Sequence, residues 1–380
     1  MNNILVPMAY LCGVLCLGSI FRKAGKQNRA RNKWALVAIF LVCLFAALRS
    51  ESVGTDTHTY IYRYNIARGM DYIQYMTIYW EGRSFLFVWF TQLVSRLTNS
   101  NIGLYLFLLQ LITILPIYLT CWKFRERVNL EVAMGVYLLL YFPASLNIMR
   151  ECVSAAIMLY AWAQYKDRKF LFSAVLALIS YGFHDTSLFF LIIFAIIEIG
   201  THGNRSRWKT LFIGIFSVAF FIVITDFGGL LTEFFFNLPL FENNKIVVYY
   251  ERLQAGSYML EIGRFGILDA VFRVLFFIVP VVLIKERKNE LFLGLRVYAF
   301  VDLLIYLGVF FSLHTTYGYR VAFYFDLFNI LYFSIDYTRT KVNGVLVRNA
   351  LLIGLSILYF LVIFVMIGAN NIFPYEFRIG

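Results

Sequence analysis

Apolar runs alternate with short polar linkers along the whole chain. Their spacing predicts membrane helices near residues 4–21, 34–48, 101–121, 131–147, 152–164, 170–183, 187–200, 210–225, 266–284, 291–312, 320–335 and 349–369. A hydrocarbon layer about 30 Å thick takes roughly 20 apolar residues at the rise of an α-helix. The pattern therefore predicts an all-α polytopic membrane protein of about twelve transmembrane helices, forming one integral membrane domain over 1–380. A further apolar run, 84–97, is short and carries Gln92 and Arg96. It is expected to be a re-entrant or interfacial helix rather than a crossing. The first run follows no basic residue and precedes no small-residue cleavage site, so it reads as a retained helix and not a signal peptide.

The charged linkers orient these helices. Basic clusters fall in 22–33, 122–130, 165–169, 201–209, 285–290 and 336–348. The positive-inside bias puts all six in the cytoplasm. The alternation closes only if 84–97 does not cross, because otherwise the second cluster would lie outside. With that run on the outer surface, both termini face outward. So do 49–100, the turns 148–151, 184–186 and 313–319, and the long loop 226–265. His58, His184 and His314 then share the outer face.

Composition narrows the class. The chain is 61% hydrophobic and only 15% charged, below the roughly 25% of soluble domains. Its net charge of +12 comes from clusters dispersed beside apolar runs, so it speaks of topology and not of a nucleic-acid partner. Cys12, Cys16, Cys43, Cys121 and Cys152 lie in or beside apolar runs without metal-ligand spacing, and no metal or other cofactor is expected.

The polar residues left on the outer face carry the candidate chemistry. Arg49, Arg150 and Arg320 are each flush with an apolar run, where a charge is expensive unless it meets an anion. A guanidinium fork fits phosphate oxygens in pairs, so converging arginines at headgroup depth suit a diphosphate. Asn147, Arg150, Glu151 and Ser154 would form one polar stripe if the helix ending near 164 begins early. Asp56 and His184 are candidate general bases. His184 beside Asp185 and Thr186 equally fits a helix cap. Asp269 with Arg273, and Arg296 with Asp302, read as pairs that tie helices together, while Asp326 has no evident partner in sequence. The loop 226–265, with Tyr249 and Arg252, reads either as a lid over an acceptor groove or as an interfacial helix.

Several segments resemble one family. "ALRSESVGTDTHTYIYRYN" resembles the R-x-x-x-VGTD-x-x-x-Y signature of the EpsG family, bacterial proteins related to Wzy-type polysaccharide polymerases. "WEGRSFLF" is similar to its Glu-Pro-Gly-Phe element, with Gly82 where proline is usual. "NIMRECVSAAIMLYA", "LALISYGFHDTSLFFL" and "YGYRVAFYF" resemble three later elements, in the family's order, with Glu151 where glutamine is common.

The resemblance implies a GT-C-like helical scaffold in the bacterial cytoplasmic membrane. It implies a glycosyltransferase that joins undecaprenyl diphosphate-linked repeat units at the outer face, with donor and acceptor both lipid-linked. Arg49, Asp56, Arg150, His184 and Arg320 stand at the family's recurrent polar positions. Asp56, Glu81 or His184 would serve as base in an inverting, metal-independent transfer. Arg49, Arg150 and Arg320 would hold the diphosphate, with Tyr60, Arg83, Glu151, Tyr324, Tyr249 and Arg252 as substrate contacts. Membrane lipids and, where chain length is controlled, a regulator are the remaining expected partners. A lipid-linked oligosaccharide flippase would place its charges along a central cavity, whereas an O-antigen-type ligase would use a similar outer face. Chain-length profiling of a deletion strain separates the three.

Overall fold

Asn32, Asn101 and Asn129 each begin a helix by accepting a backbone N–H through the side chain, as polar caps do. The computed structural model describes residues 2–201, 264–283, 290–308, 316–335 and 342–378. These hold α1 (Asn2–Gly25), α2 (Lys33–Ala47), α3 (Thr57–Ala67), α4 (Tyr72–Trp80), α5 (Phe85–Leu97) and α6 (Ile102–Lys123). Then come α7 (Leu130–Ser145), α8 (Met149–Lys166), α9 (Phe170–Phe183), α10 (Ser187–Thr201), α11 (Arg264–Leu283) and α12 (Glu290–Gly308). The last are α13 (Thr316–Asp326), α14 (Asn329–Ser334) and α15 (Val342–Tyr359), which runs on through a wider π-type turn at Phe360–Met366. No strand occurs among the described residues, and four helical segments there are long and apolar enough to cross a bilayer by themselves. The expected run 210–225 lies outside the described residues.

Two compact units divide the chain: Met1–Ser187 with Ile330–Gly380, and Leu188–Asn329. In the first, α1 runs antiparallel to α7, with the Tyr10 hydroxyl donating to the Leu138 carbonyl and Gly25 against Leu130. Helices α6 and α8 run parallel and finish together, since Lys123 Nζ reaches the Ala163 carbonyl at 2.7 Å and Asp167 at 2.6 Å. Tyr118 donates to the Ala30 carbonyl, and Val128 pairs with Ile335. The linkers 22–33, 122–130 and 165–169 thus meet at one end, together with Ile335, and this is the basic end.

The opposite end is polar rather than basic. Helix α5 begins there, where Arg150 at the head of α8 bonds Ser84. It also ends there, where Ser95 bonds Ser100 beside the head of α6. It therefore enters and leaves the bundle at one end, as its length requires. Its amphipathicity is inverted. Thr91, Gln92 and Ser95 are buried, while Phe85, Trp89, Leu93 and Leu97 form an exposed apolar stripe. Gln92 Nε2 donates to the carbonyls of Ala67 and Met70, Arg96 to Met70, and Ser95 Oγ to Tyr64. Carbonyls at the end of α3 are thereby satisfied without water, as an apolar surrounding demands.

Helices α3 and α4 were not foreseen within 49–100. Their signal is a repeat of tyrosines four apart, Tyr60 and Tyr64, then Tyr75 and Tyr79, in an otherwise polar stretch. The buried partners of each set join Trp80, Phe87 and Tyr105 in one core.

In the second unit, Phe190 stacks on Tyr324 and Phe328, and Tyr298 donates to Glu198. The expected single helix 320–335 is two helices, because the chain turns at Leu327–Phe328, where Asn329 Nδ2 bonds the Asp326 carboxylate at 2.9 Å. Asp302 does not pair with Arg296 as expected. It meets Arg273 at 3.2 Å, which also holds Asp269 at 3.8 Å and Asp326 at 2.5 Å. One guanidinium thus gathers carboxylates from α11, α12 and α13.

Candidate active site

Residues 50–57 make a tight turn that depends on Gly54, whose φ is +96°. A Cβ there would lie 2.7 Å from Thr57 Oγ1 and 3.2 Å from the Leu146 carbonyl. The Thr57 hydroxyl donates to the carbonyls of Val53 and Leu146. Asn147 Oδ1 accepts the Asp56 amide at 2.7 Å and the Thr55 hydroxyl at 3.1 Å, while its Nδ2 donates to Asn370 Oδ1. From the other side, the amides of Gly54 and Thr55 donate to Asn371 and Asn370. The turn therefore sits between the end of α7 and residues 370–371. Gly54→Ala is expected to cost about 2 kcal/mol, from left-handed strain plus the clash. The readout is a lower inactivation temperature of detergent-solubilised protein; an unchanged temperature would mean that the turn relaxes freely.

This turn delivers Asp56 to the head of α3 with an exposed carboxylate that caps no helix amide. Asp56, Tyr60 and Arg63 are spaced i, i+4, i+7 and so lie along one stripe of the helix. Tyr60 and Arg63 both face Trp80, at 6.2 Å between rings and 4.5 Å from guanidinium carbon to ring centre.

Trp80 ends α4. The turn after it is left-handed at Glu81 (φ 51°), Gly82 (φ 70°) and Ser84 (φ 54°). A proline at 82, fixed near φ −65°, could not make this turn, so the departure from the family's Glu-Pro-Gly pattern is built into the backbone. Glu81 is exposed and Arg83 half-buried. Ser84 accepts from Arg150 Nη1 at 3.2 Å, and the Arg150 guanidinium also lies 5.4 Å from the centre of the Trp80 ring. Arg150 Nε is buried with no hydrogen-bond partner among the described residues.

Arg49 faces the other way. It is 2% exposed, and its Nη1 donates to the Ala46 carbonyl at 2.8 Å and its Nη2 to Leu146 at 3.2 Å. The side chain thus closes the carbonyl ends of α2 and α7, and its backbone pairs with Phe377. Burial lowers its pKa to about 10, against the opposing effect of the Tyr375 and Tyr105 phenols, so it stays charged at neutral pH.

His184 is also buried, just past α9. Its Nδ1 lies 2.6 Å from Thr186 Oγ1 and 3.3 Å from both the Thr186 amide and Asp185 Oδ1. These three contacts commit Nδ1 to the turn that follows α9. That commitment suits a cap better than a base.

Glu151 is buried in the first turn of α8, where a carboxylate complements the helix N-terminus. Of the expected polar stripe, Arg150, Glu151 and Ser154 lie within α8, whose start at Met149 leaves Asn147 outside to serve the 50–57 turn. Arg150 turns to Trp80, and Ser154 bonds Ser180 of α9. Arg320 and the buried Tyr324 belong to α13 in the second unit. Tyr249, Arg252, His314 and the loop 226–265, except its last two residues in α11, lie outside the described residues. Among the described residues no group of three or more His, Cys, Asp or Glu side chains is placed to hold a metal ion. Sequence reasoning counted Arg63 among the outer-face polar residues without giving it a role, and passed over Trp80; the signal was the seven-residue interval from Asp56 to Arg63.

The model of the EpsG family matches residues 32–377, from the cap of α2 to the residue paired with Arg49. The chain belongs to the EpsG family. No curated protein and no solved structure matches it. EpsG proteins are Wzy-like polysaccharide polymerases, so this chain is a helical membrane protein of the polysaccharide-polymerase kind. In EpsG terms, the matched span contains the VGTD turn, the strained 81–84 turn and Arg150.

Proposed function

We propose that this EpsG protein joins undecaprenyl diphosphate-linked repeat units at the outer face of the bacterial cytoplasmic membrane. About twelve crossings on a GT-C-like scaffold, with both termini outside, fit this reading. The observation that carries it is Arg150. Its guanidinium stands at the end of the bundle away from the basic linkers, paired with no carboxylate among the described residues. The positive-inside bias assigns the basic end to the cytoplasm. An arginine at the other end, at the head of a membrane helix, is what a lipid diphosphate would meet.

In the transfer, a hydroxyl at the non-reducing end of the acceptor repeat unit attacks the anomeric carbon of the donor glycan. Asp56 takes the hydroxyl proton. The carbon–oxygen bond to the diphosphate breaks, and undecaprenyl diphosphate leaves with the electron pair while arginine charge stabilises it. A single displacement inverts the configuration. A diphosphate leaves readily beside guanidinium groups, so no metal is required. Asp56 is preferred to His184 because its carboxylate is exposed and uncommitted. Glu81, exposed in the strained turn, is the second choice. Arg49 holds the helix ends that carry the site.

The test is chain-length profiling of surface glycan in a deletion strain carrying wild-type or Asp56→Asn protein. Wild type restores long chains and Asp56→Asn leaves single repeat units, a fall of about 10²-fold or more in rate. Normal polymer from Asp56→Asn moves the base to Glu81. Loss of all surface glycan in the deletion strain points to a flippase, and long polymer left on lipid carrier points to a ligase.

A further inference from the structure

Two guanidinium groups converge on one indole. Arg63 comes from the end of α3 and Arg150 from the head of α8, and their guanidinium carbons lie 4.5 Å and 5.4 Å from the centre of the Trp80 ring. Those distances hold the two charges within roughly 10 Å of each other, about one Debye length at 0.1 M salt. Neither forms an ion pair with a carboxylate among the described residues, and Arg150 Nε is buried there without a partner. Cation–π contact stabilises each guanidinium on the ring face but neutralises neither.

The surroundings hold this arrangement firmly. Tyr75 donates its hydroxyl to the Arg63 carbonyl at 3.0 Å, and Tyr60 and Phe87 pack against Trp80. The left-handed turn at 81–84 carries Ser84 to Arg150. Like charges gathered by a rigid aromatic plate, without a protein counter-ion, are the electrostatic imprint of a multiply charged anion.

We infer that Arg63 is a second phosphate-binding residue of the site, and that Trp80 sets the spacing of Arg63 and Arg150 so that together they select a diphosphate over a monophosphate. This rests on the proposed polymerase reading and names the residue within it that counts phosphates. One guanidinium satisfies one phosphate; the second has an anion to meet only when a second phosphate is present. Asp56 lies two helical turns before Arg63 on the same stripe, about 10 Å along the axis. A glycosyl group attached to the bound diphosphate would extend along that stripe toward the carboxylate.

The experiment uses the full chain in nanodiscs, titrated with farnesyl diphosphate and with farnesyl monophosphate, for wild type, Arg63→Gln and Arg63→Lys. Discs of phosphatidylcholine alone and discs containing phosphatidylglycerol are run in parallel. Monodisperse elution on size exclusion confirms the fold of each variant. Wild type is expected to bind the diphosphate at least about tenfold tighter than the monophosphate, the worth of one charge-assisted contact. Arg63→Gln is expected to bring the two affinities together by weakening the diphosphate alone. Arg63→Lys, which keeps the charge but not the planar fork, should fall between them. A diphosphate preference undiminished in Arg63→Gln overturns the inference while leaving the polymerase reading in place. Absence of any diphosphate preference in wild type overturns both. Equal competition by phosphatidylglycerol overturns it as well, since the pair would then be a general lipid-headgroup contact.

Discussion

Arg150→Ala is expected to abolish long-chain polymer while the protein accumulates in the membrane at the wild-type level. The fold loses little. The side chain is half-buried, with a single hydrogen bond to Ser84 and a stacking contact on Trp80, together worth about 1–2 kcal/mol. The reaction loses much more. A guanidinium directed at the departing diphosphate acts on charge that develops in the transition state, and removing one such donor costs about 10²–10³ in rate. Chain-length profiling together with immunoblotting of the membrane fraction separates the two effects. Arg150→Lys should retain part of the activity, because it restores charge without the fork. Full-length polymer from Arg150→Ala would overturn the assignment of the diphosphate to this end of α8.

Arg49→Ala should behave in the opposite way, with poor accumulation as its first effect. The buried guanidinium satisfies carbonyls at the ends of α2 and α7, and alanine removes this donor from the Ala46 carbonyl while Leu146 keeps only the Thr57 hydroxyl. One orphaned and one weakened buried carbonyl cost about 1–3 kcal/mol. Fluorescence-detected size exclusion of a tagged protein should show a reduced monodisperse peak and earlier heat inactivation. Lysine has one point of attachment where arginine has a fork, so Arg49→Lys should rescue only partly. An Arg49→Ala protein that accumulates normally yet makes no polymer would instead return this residue to the ligand. The two substitutions thus separate an arginine that builds the scaffold from one that faces the reaction.

An arginine flush with an apolar run has two physical solutions: an anion from outside, or carbonyl oxygens at helix ends. Sequence does not distinguish them: Arg49 and Arg150 look alike there, but the fold gives Arg49 two backbone carbonyls and sets Arg150 against Ser84 and the Trp80 ring. The four longest apolar helices were legible because bilayer thickness sets their length, and the run 84–97 stood out by Gln92, Arg96 and the alternation of the basic linkers. Helices α3 and α4 were hidden by polarity, for their buried face is tyrosine and their periodicity is weak against the polar background. Of the two residues that made 84–97 look unfit to cross, Gln92 turns inward to the carbonyls of Ala67 and Met70, and the exposed Arg96 reaches back to Met70. Pairing within helices was only partly legible. The i, i+4 contact of Asp269 with Arg273 follows from helix geometry, whereas the reach of Arg273 to Asp302 and Asp326 depends on how α11, α12 and α13 pack. His184 was legible both as base and as cap, and its hydrogen bonds favour the cap.

The pairing of residues 376–378 with 48–50, and of 370–371 with the VGTD turn, bears on how the protein is made. The turn that presents Asp56 emerges early in synthesis, after α2, but two of its amides find their acceptors only in residues 370–371. Helices inserted one after another therefore carry an unfinished site until α15 has crossed and delivered that last segment to the same end. A chain lacking residues 370–371 would display Arg150 without an ordered turn at Asp56. Delivery of those two carbonyls thus becomes the step that completes the turn.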